Sequence, residues 1–350
     1  MRTRTDTTTS AKPLDDELVR FREWSTQSVH PLPAEPGEHL LGADPACWLV
    51  LGDPSGRISR QHAELVRDGN AWILRDRSSK NGILVDGVRR AEVTLEPGLE
   101  VGLGGITLIV ESTRTIALRG YLARVLGYTS NEVVDLALRS IRMASARRAP
   151  LVLCGDGDLV PIAAGLHRRT HGDRPFVLCD PRRKTSEATV RSAASYDTGA
   201  GALAVATGGT LCVLSKHLPK DFSAISAELR APGSRVQLVV CTHTLGHETF
   251  LAAPITIPPL ARRTRELNLV IEEYAAEAVA ALAAAPTSFG AAERDWIKTH
   301  AADSLPEIEK ATLRLVALRE EDNTVTRAAA RLGISHVSLL RWIGRRRLPR

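Results

Sequence analysis

The sequence predicts a multidomain α+β protein: an antiparallel β-sandwich at the N-terminus, a parallel α/β sheet in the middle and an all-α module at the C-terminus. Three textures carry that reading. Short apolar runs separated by Gly, Pro and Asp fill residues 29–111. Four short apolar runs without alternation follow between 151 and 241, with helical spacing between them. From Pro306 onward three helical patterns appear, together with most of the basic charge. The expected boundaries are a polar, Thr-rich disordered leader over 1–24, the sandwich over 25–115, the α/β domain over 116–285 and the helical domain over 286–350.

A chain of 350 residues has room for two or three domains. No apolar run approaches the ~20 residues needed to span a bilayer. The opening M-R-T-R-T-D-T-T-T-S has no apolar signal core. The expectation is a soluble, cytoplasmic protein without membrane attachment. The five cysteines (47, 154, 179, 212 and 241) form no C-x-x-C pair, and four sit inside apolar runs as small hydrophobes. Neither a disulfide framework nor a metal site is expected. His243 and His247 stand four apart, but a Gly interrupts any helix between them, so they read as loop residues.

In the first domain the runs H-L-L-G, W-L-V-L, A-E-L-V, A-W-I-L, I-L-V and I-T-L-I-V are divided by D-P-S-G, R-D-G-N, S-K-N-G and V-D-G-V turns. Strands of that length joined by such turns form sandwiches. G-R-I-S-R-Q-H-A-E-L (56–65) and D-R-S-S-K-N-G-I-L-V-D-G (76–87) lie within it. This pair resembles the forkhead-associated (FHA) domain, whose inter-strand loops bind phosphothreonine peptides. The resemblance implies that Ser59 bonds the phosphate, His62 braces the loop, Asn81 bonds the peptide backbone and Gly82 permits its turn. Arg60 and Lys80 add positive charge nearby. The family's first motif is Gly-Arg, with the Arg a phosphate ligand, whereas here Ala43 follows Gly42. Loss of that charge-assisted contact is worth ~1.5–3 kcal/mol. Two readings therefore stand: a phosphothreonine site, or loops held by Ser59, His62 and Asn81 in a domain that binds a partner without phosphate.

In the middle domain L-V-L-C (151–154), F-V-L-C (176–179), T-L-C-V-L (210–214) and V-Q-L-V-V-C (236–241) read as strands covered on both faces. A-G-L-H-R-R-T (164–170), R-P-F-V-L-C-D (174–180), G-G-T-L-C-V-L (208–214) and I-P-P-L-A-R-R-T-R-E-L (257–267) resemble, in that order, the AAA+ module of sigma-54-dependent activators. That resemblance implies a P-loop fold, ATP with magnesium, and RNA polymerase with sigma-54 as a partner. The residues depart from it at the chemistry. C-G-D-G-D-L-V-P (154–161) stands where the family has G-x-x-G-x-G-K, so the phosphate-binding Lys is missing. Leu214, Ser215 and Lys216 replace the Asp-Glu pair that serves magnesium. The sigma-54 loop reduces to D-T-G-A-G (197–201), and Pro306 stands at the sensor Arg of the lid. A degenerate module that binds no ATP or magnesium and has no enzymatic activity is expected. Residues 264–285 form an Ala-rich helix ended by Pro286.

At the C-terminus, Pro306 opens one helix, Asn323 or Thr324 caps a second, and Ser335 caps a third. A small Ala329, a turn at Gly333 and a buried Leu339 are what a helix-turn-helix requires. From Thr324 onward there are seven Arg and no Asp, Glu or Lys, a net +7 in a chain of net +6. Such concentration suits a phosphate-binding face. A-A-A-R-L-G-I-S-x-x-S-L resembles the Fis-type helix-turn-helix of bacterial enhancer-binding proteins, which implies double-stranded DNA as the partner. His336, Ser338 and Arg341, early on the helix capped by Ser335, would face base edges. Arg345, Arg346 and Arg347 would touch phosphates. The expected function is a DNA-binding transcriptional regulator with an FHA input domain, acting as a homo-oligomer. The alternatives are an active sigma-54-dependent activator ATPase and an FHA adaptor in a kinase pathway.

Overall fold

The computed structural model describes residues 16–35, 37–147, 149–187, 193–231, 233–244 and 254–346. The chain divides into two compact units, 1–119 and 120–350.

The first unit is built from β1 (Leu18–Glu23), β2 (Val29–Pro31), β3 (Glu38–Gly42), β4 (Leu49–Val50), β5 (Ala63–Asp68), β6 (Ala71–Asp76), β7 (Ile83–Val85), β8 (Val88–Arg90), β9 (Glu92–Thr94), β10 (Glu100–Leu103) and β11 (Ile106–Ser112). One sheet runs β2-β1-β11-β10-β7-β8 and the other β4-β3-β5-β6-β9. All the pairings are antiparallel except β3 with β4. Alternation along the strands sends Phe21, Leu41, Leu65, Leu74, Val101 and Leu108 into the shared core. The expected sandwich is present.

Its start differs from expectation. The leader was expected to run to residue 24, yet β1 pairs with β11 and buries Phe21 completely. The stretch reads as polar because Arg20 and Arg22 flank that Phe. Both guanidiniums are paired across the sheet with Glu111, at 2.7 and 2.6 Å. Residues 1–15 lie outside the described residues.

α1 (Thr113–Leu126) and α2 (Asn131–Arg147) precede the second sheet. That sheet holds β12 (Leu151–Cys154), β13 (Phe176–Cys179), β14 (Ala194–Tyr196), β15 (Thr210–Leu214), β16 (Gln237–Thr242) and β17 (Ile255–Thr256) in the order β14-β13-β15-β16-β12-β17. Among the described residues these strands pair with one another in parallel, and an antiparallel bridge joins Ser186 to Ser195 of β14. The four apolar runs are thus its central strands, and α3 (Val160–Thr170), α4 (Gly199–Val205) and α5 (Phe222–Arg230) connect them. Within residues 197–201, expected to be a truncated loop, Thr198 caps α4 and residues 199–201 form its first turn. The Thr198 hydroxyl and the Asp221 carboxylate receive the N–H groups of Gly201, Gly199 and Ala200.

Among the described residues five α-helices follow: α6 (Leu267–Ala281), α7 (Ala291–His300), α8 (Leu305–Glu320), α9 (Val325–Arg331) and α10 (His336–Arg345). α8 is the hub, packing on α6, α7 and α9 through Ile308, Ala311, Leu315, Val316 and Leu318. α1 is fastened to α6 by the buried Arg124. Its guanidinium lies 4.2 Å from the Tyr274 ring centre and 2.6 Å from Glu277. Among the described residues, no helix is long and apolar enough to cross a membrane.

Candidate functional site

In the first unit the loop before β5 and the loop between β6 and β7 are tied together at one end of the sandwich. Ser59 Oγ accepts the backbone N–H of Lys80 at 3.1 Å. Asn81 Nδ2 donates to the Arg57 carbonyl at 2.7 Å. Beneath them lies His62, fully buried. Its Nδ1 accepts the Ser59 N–H at 3.1 Å, so the ring proton is on Nε2. That N–H points at the Gly82 carbonyl and the Ser79 hydroxyl, each 3.1 Å away. One neutral imidazole therefore fixes the backbone of both loops, which is the brace expected of it.

Two further residues hold the arrangement, and sequence reasoning passed over both. Ser79 takes the Gly82 N–H at 2.8 Å and donates to Asp76 at 2.5 Å. This turns the chain at Gly82, whose φ of +72° suits glycine. Asp53 receives the Ser55 hydroxyl and the N–H groups of Ser55, Arg57 and Gly105. The Ser55 hydroxyl bond, with the backbone donors behind it, holds the Asp53 carboxyl down at about 2. The D-P-S-G turn signal was the available clue to it.

The surface above this scaffold carries the exposed Arg60 and Lys80, with Ser59 and Asn81 half-buried between them. Ala43 joins the same rim, because its N–H donates to the Ser59 carbonyl at 3.1 Å and Asp44 N–H to that of Arg60 at 3.0 Å. The residues expected to bind phosphopeptide are thus brought together, with one of the two amide hydrogens of Asn81 engaged on the loop. Residues 39–104 match the FHA domain family. This part of the chain is an FHA domain.

Solved structures similar to it include an FHA domain characterised for phosphothreonine-dependent interactions, Mycobacterium tuberculosis EmbR in complex with a low-affinity phosphopeptide, and the FHA domain of a Chlamydia trachomatis protein. Their identities are 26%, 24% and 26%, and each covers 27% of this chain at a TM-score of 0.25. The shares of their own chains covered are 96%, 24% and 97%. No curated protein matches the chain.

Outside the FHA domain, the segment 155–159 links β12 to α3 at the carboxyl end of the parallel sheet, where such sheets bind ligands. Here Asp158 Oδ1 accepts the Val160 N–H at 3.1 Å, and Pro161 stands in the first turn. The helix end that would meet a phosphate already faces a carboxylate of its own chain. His243 lies beside this segment, with Nδ1 3.0 Å from the Gly155 carbonyl, whereas His247 is outside the described residues.

At the C-terminus, Ala329 is buried where α9 meets α10, Gly333 turns the chain with φ +62°, and Leu339 is fully buried. Thr324 stands at the start of α9 without a capping side-chain bond, whereas Ser335 Oγ accepts the Ser338 N–H at 3.2 Å. The Ser335 hydroxyl caps the helix as an acceptor and keeps its own proton to donate. His336, Ser338, Arg341 and Arg345 are exposed along α10. Arg346, expected to touch phosphate, is engaged within the chain. It is ion-paired with Glu307, donates to the His300 carbonyl at 3.2 Å and lies 5.7 Å from the Trp342 ring centre. Arg347 lies outside the described residues. Trp342, with Trp296 5.5 Å away, locks α10 onto α7.

Proposed function

We propose that the chain is a phosphothreonine-responsive DNA-binding regulator: the FHA domain takes the input, and α9 with α10 grips duplex DNA. The input half rests on the joined loops. A phosphate placed at Ser59 Oγ would lie against a rim carrying Arg60 and Lys80, with no loop movement needed to assemble it. The output half is supported by the division of α10 into a buried stripe and an exposed face carrying Arg341 and Arg345 but no acid. One recognition helix makes few contacts, so the DNA-bound form is a homo-oligomer. The central sheet acts as a spacer without nucleotide chemistry, a reading supported by Asp158 at the start of α3 and by the absence of lysine from 155–170.

The observation that carries the proposal is the Ser59–Lys80 bond within a matched FHA domain. The test is fluorescence anisotropy of the full chain with a degenerate phosphothreonine peptide library and its unphosphorylated twin. Saturable binding of the phosphorylated set alone, lost at least about tenfold in Ser59→Ala, is expected. Equal binding of both sets would overturn the input half. Selection of duplexes from a random pool, with affinity measured at two salt concentrations, tests the output half. A salt-insensitive interaction, or none, refutes it.

A further inference from the structure

α10 buries Leu339, Trp342 and Ile343, and at about 3.6 residues per turn Val337, Arg341 and Gly344 run along the opposite face. Val337 is 43% exposed, and Leu340 beside it is equally so. An aliphatic side chain on an exposed face that also carries Arg341 and Arg345 gains nothing from water. The second observation is Gly344. It is the penultimate residue of the helix, takes no positive φ, and a Cβ added to it would meet nothing within 4 Å among the described residues. Neither backbone conformation nor internal packing calls for glycine there, although glycine weakens a helix relative to alanine. Among the described residues, nothing accounts for either.

Building on the DNA-binding reading above, we propose that Val337 reads the 5-methyl group of thymine in the major groove, and that Gly344 gives the helix backbone its close approach to the duplex. The thymine methyl is the apolar group that the base edges offer in that groove. The charge of the face suits the same partner: between Thr324 and Arg350 every charged residue is Arg. Arg341, between the two on this line, supplies the polar contact. Val337 was absent from the base-reading set inferred from sequence, because an apolar residue in an amphipathic helix reads as core.

The experiment uses the full chain and a duplex enriched by it from a random pool, synthesised once with thymine and once with uracil throughout. The expected result is roughly three- to tenfold tighter binding of the thymine duplex, with the difference abolished in Val337→Ala. Gly344→Ala is expected to keep or raise Tm while weakening DNA binding at least about threefold. Equal affinity for the two duplexes, or a thymine preference that survives Val337→Ala, overturns the inference and leaves DNA binding standing. A Val337→Ala chain that changes its sedimentation while keeping the thymine preference assigns the face to a second copy instead. Failure to enrich any duplex removes the DNA reading itself and this inference with it.

Discussion

Ser59 Oγ and the backbone N–H of Lys80 meet at 3.1 Å, joining two loops that lie twenty-one positions apart in the chain. The rim of the FHA domain proposed above to take a phosphate is therefore set by the fold before any ligand arrives, and preorganisation of this kind lowers the entropy that binding must offset. What the rim lacks is a guanidinium at position 43.

Ala43→Arg tests that lack. The residue is exposed, and its backbone N–H already bonds the Ser59 carbonyl, so a long side chain has room beside the phosphate position. Affinity for a phosphothreonine peptide is expected to rise about ten- to hundredfold, with no gain for the unphosphorylated peptide. Titration calorimetry reads this directly. An equal rise for both peptides would place the new charge away from the phosphate.

His62→Ala should act on stability before binding. It strands the Ser59 N–H and the Gly82 carbonyl in a buried site, at a cost of about 2–4 kcal/mol to the first unit. Ser59→Ala removes one half-buried hydroxyl and is expected to cost under about 1 kcal/mol. Hydrogen exchange at the amides of β5 and β11 separates the two variants. Similar losses of protection in both would contradict the bracing role.

Acid should weaken the second unit through His167. Burial, its largest influence, lowers the pKa of this imidazole, while Nδ1 lies 2.8 Å from the Thr210 hydroxyl and Nε2 2.7 Å from the Arg174 carbonyl. Below about 6.5 the unfolded chain takes up a proton that the folded chain refuses, so the unfolded state binds more protons. Stability is full above that value and declines as pH falls from it towards the lowered folded pKa. Thermal unfolding followed from about pH 7.5 to pH 5 should show a drop in Tm that His167→Gln flattens. A variant whose Tm falls as steeply as the parent's would count against this assignment.

The neighbouring arginines Arg345 and Arg346 should separate cleanly. Arg346→Ala leaves Glu307 with Lys310 alone as its cation and takes a packed guanidinium from Trp342, and is expected to cost about 1 kcal/mol of stability. Arg345→Ala, on the exposed face, should leave Tm unchanged and reduce the salt dependence of DNA binding by about one counterion. The opposite pattern would mean that the exposed face of α10 is not the one that meets phosphate.

The sandwich, the central strands and the three C-terminal helices were legible because each rests on local signals. Turn residues punctuate the first region, unbroken apolar runs mark the second, and Pro306, Gly333 and Ser335 delimit the third. Two stretches misled. Residues 18–23 look like a polar leader until Arg20 and Arg22 find Glu111 some ninety residues away. D-T-G-A-G looks like a loop until Asp221 reaches across to cap it as a helix.

Residue order alone determined the FHA motif spacing, the Ala at 43, the absence of lysine from 155–170 and the arginine-rich end, since composition and near-neighbour spacing express all of these. Tertiary structure decided which polar groups are already spent. Asn81 holds Arg57, Arg346 holds Glu307, Asp158 occupies the start of α3, and Val337 is left facing outward. The physical reason is that a hydrogen bond or ion pair depends on two groups meeting in space, and for most of these pairs the partner lies many residues away along the chain.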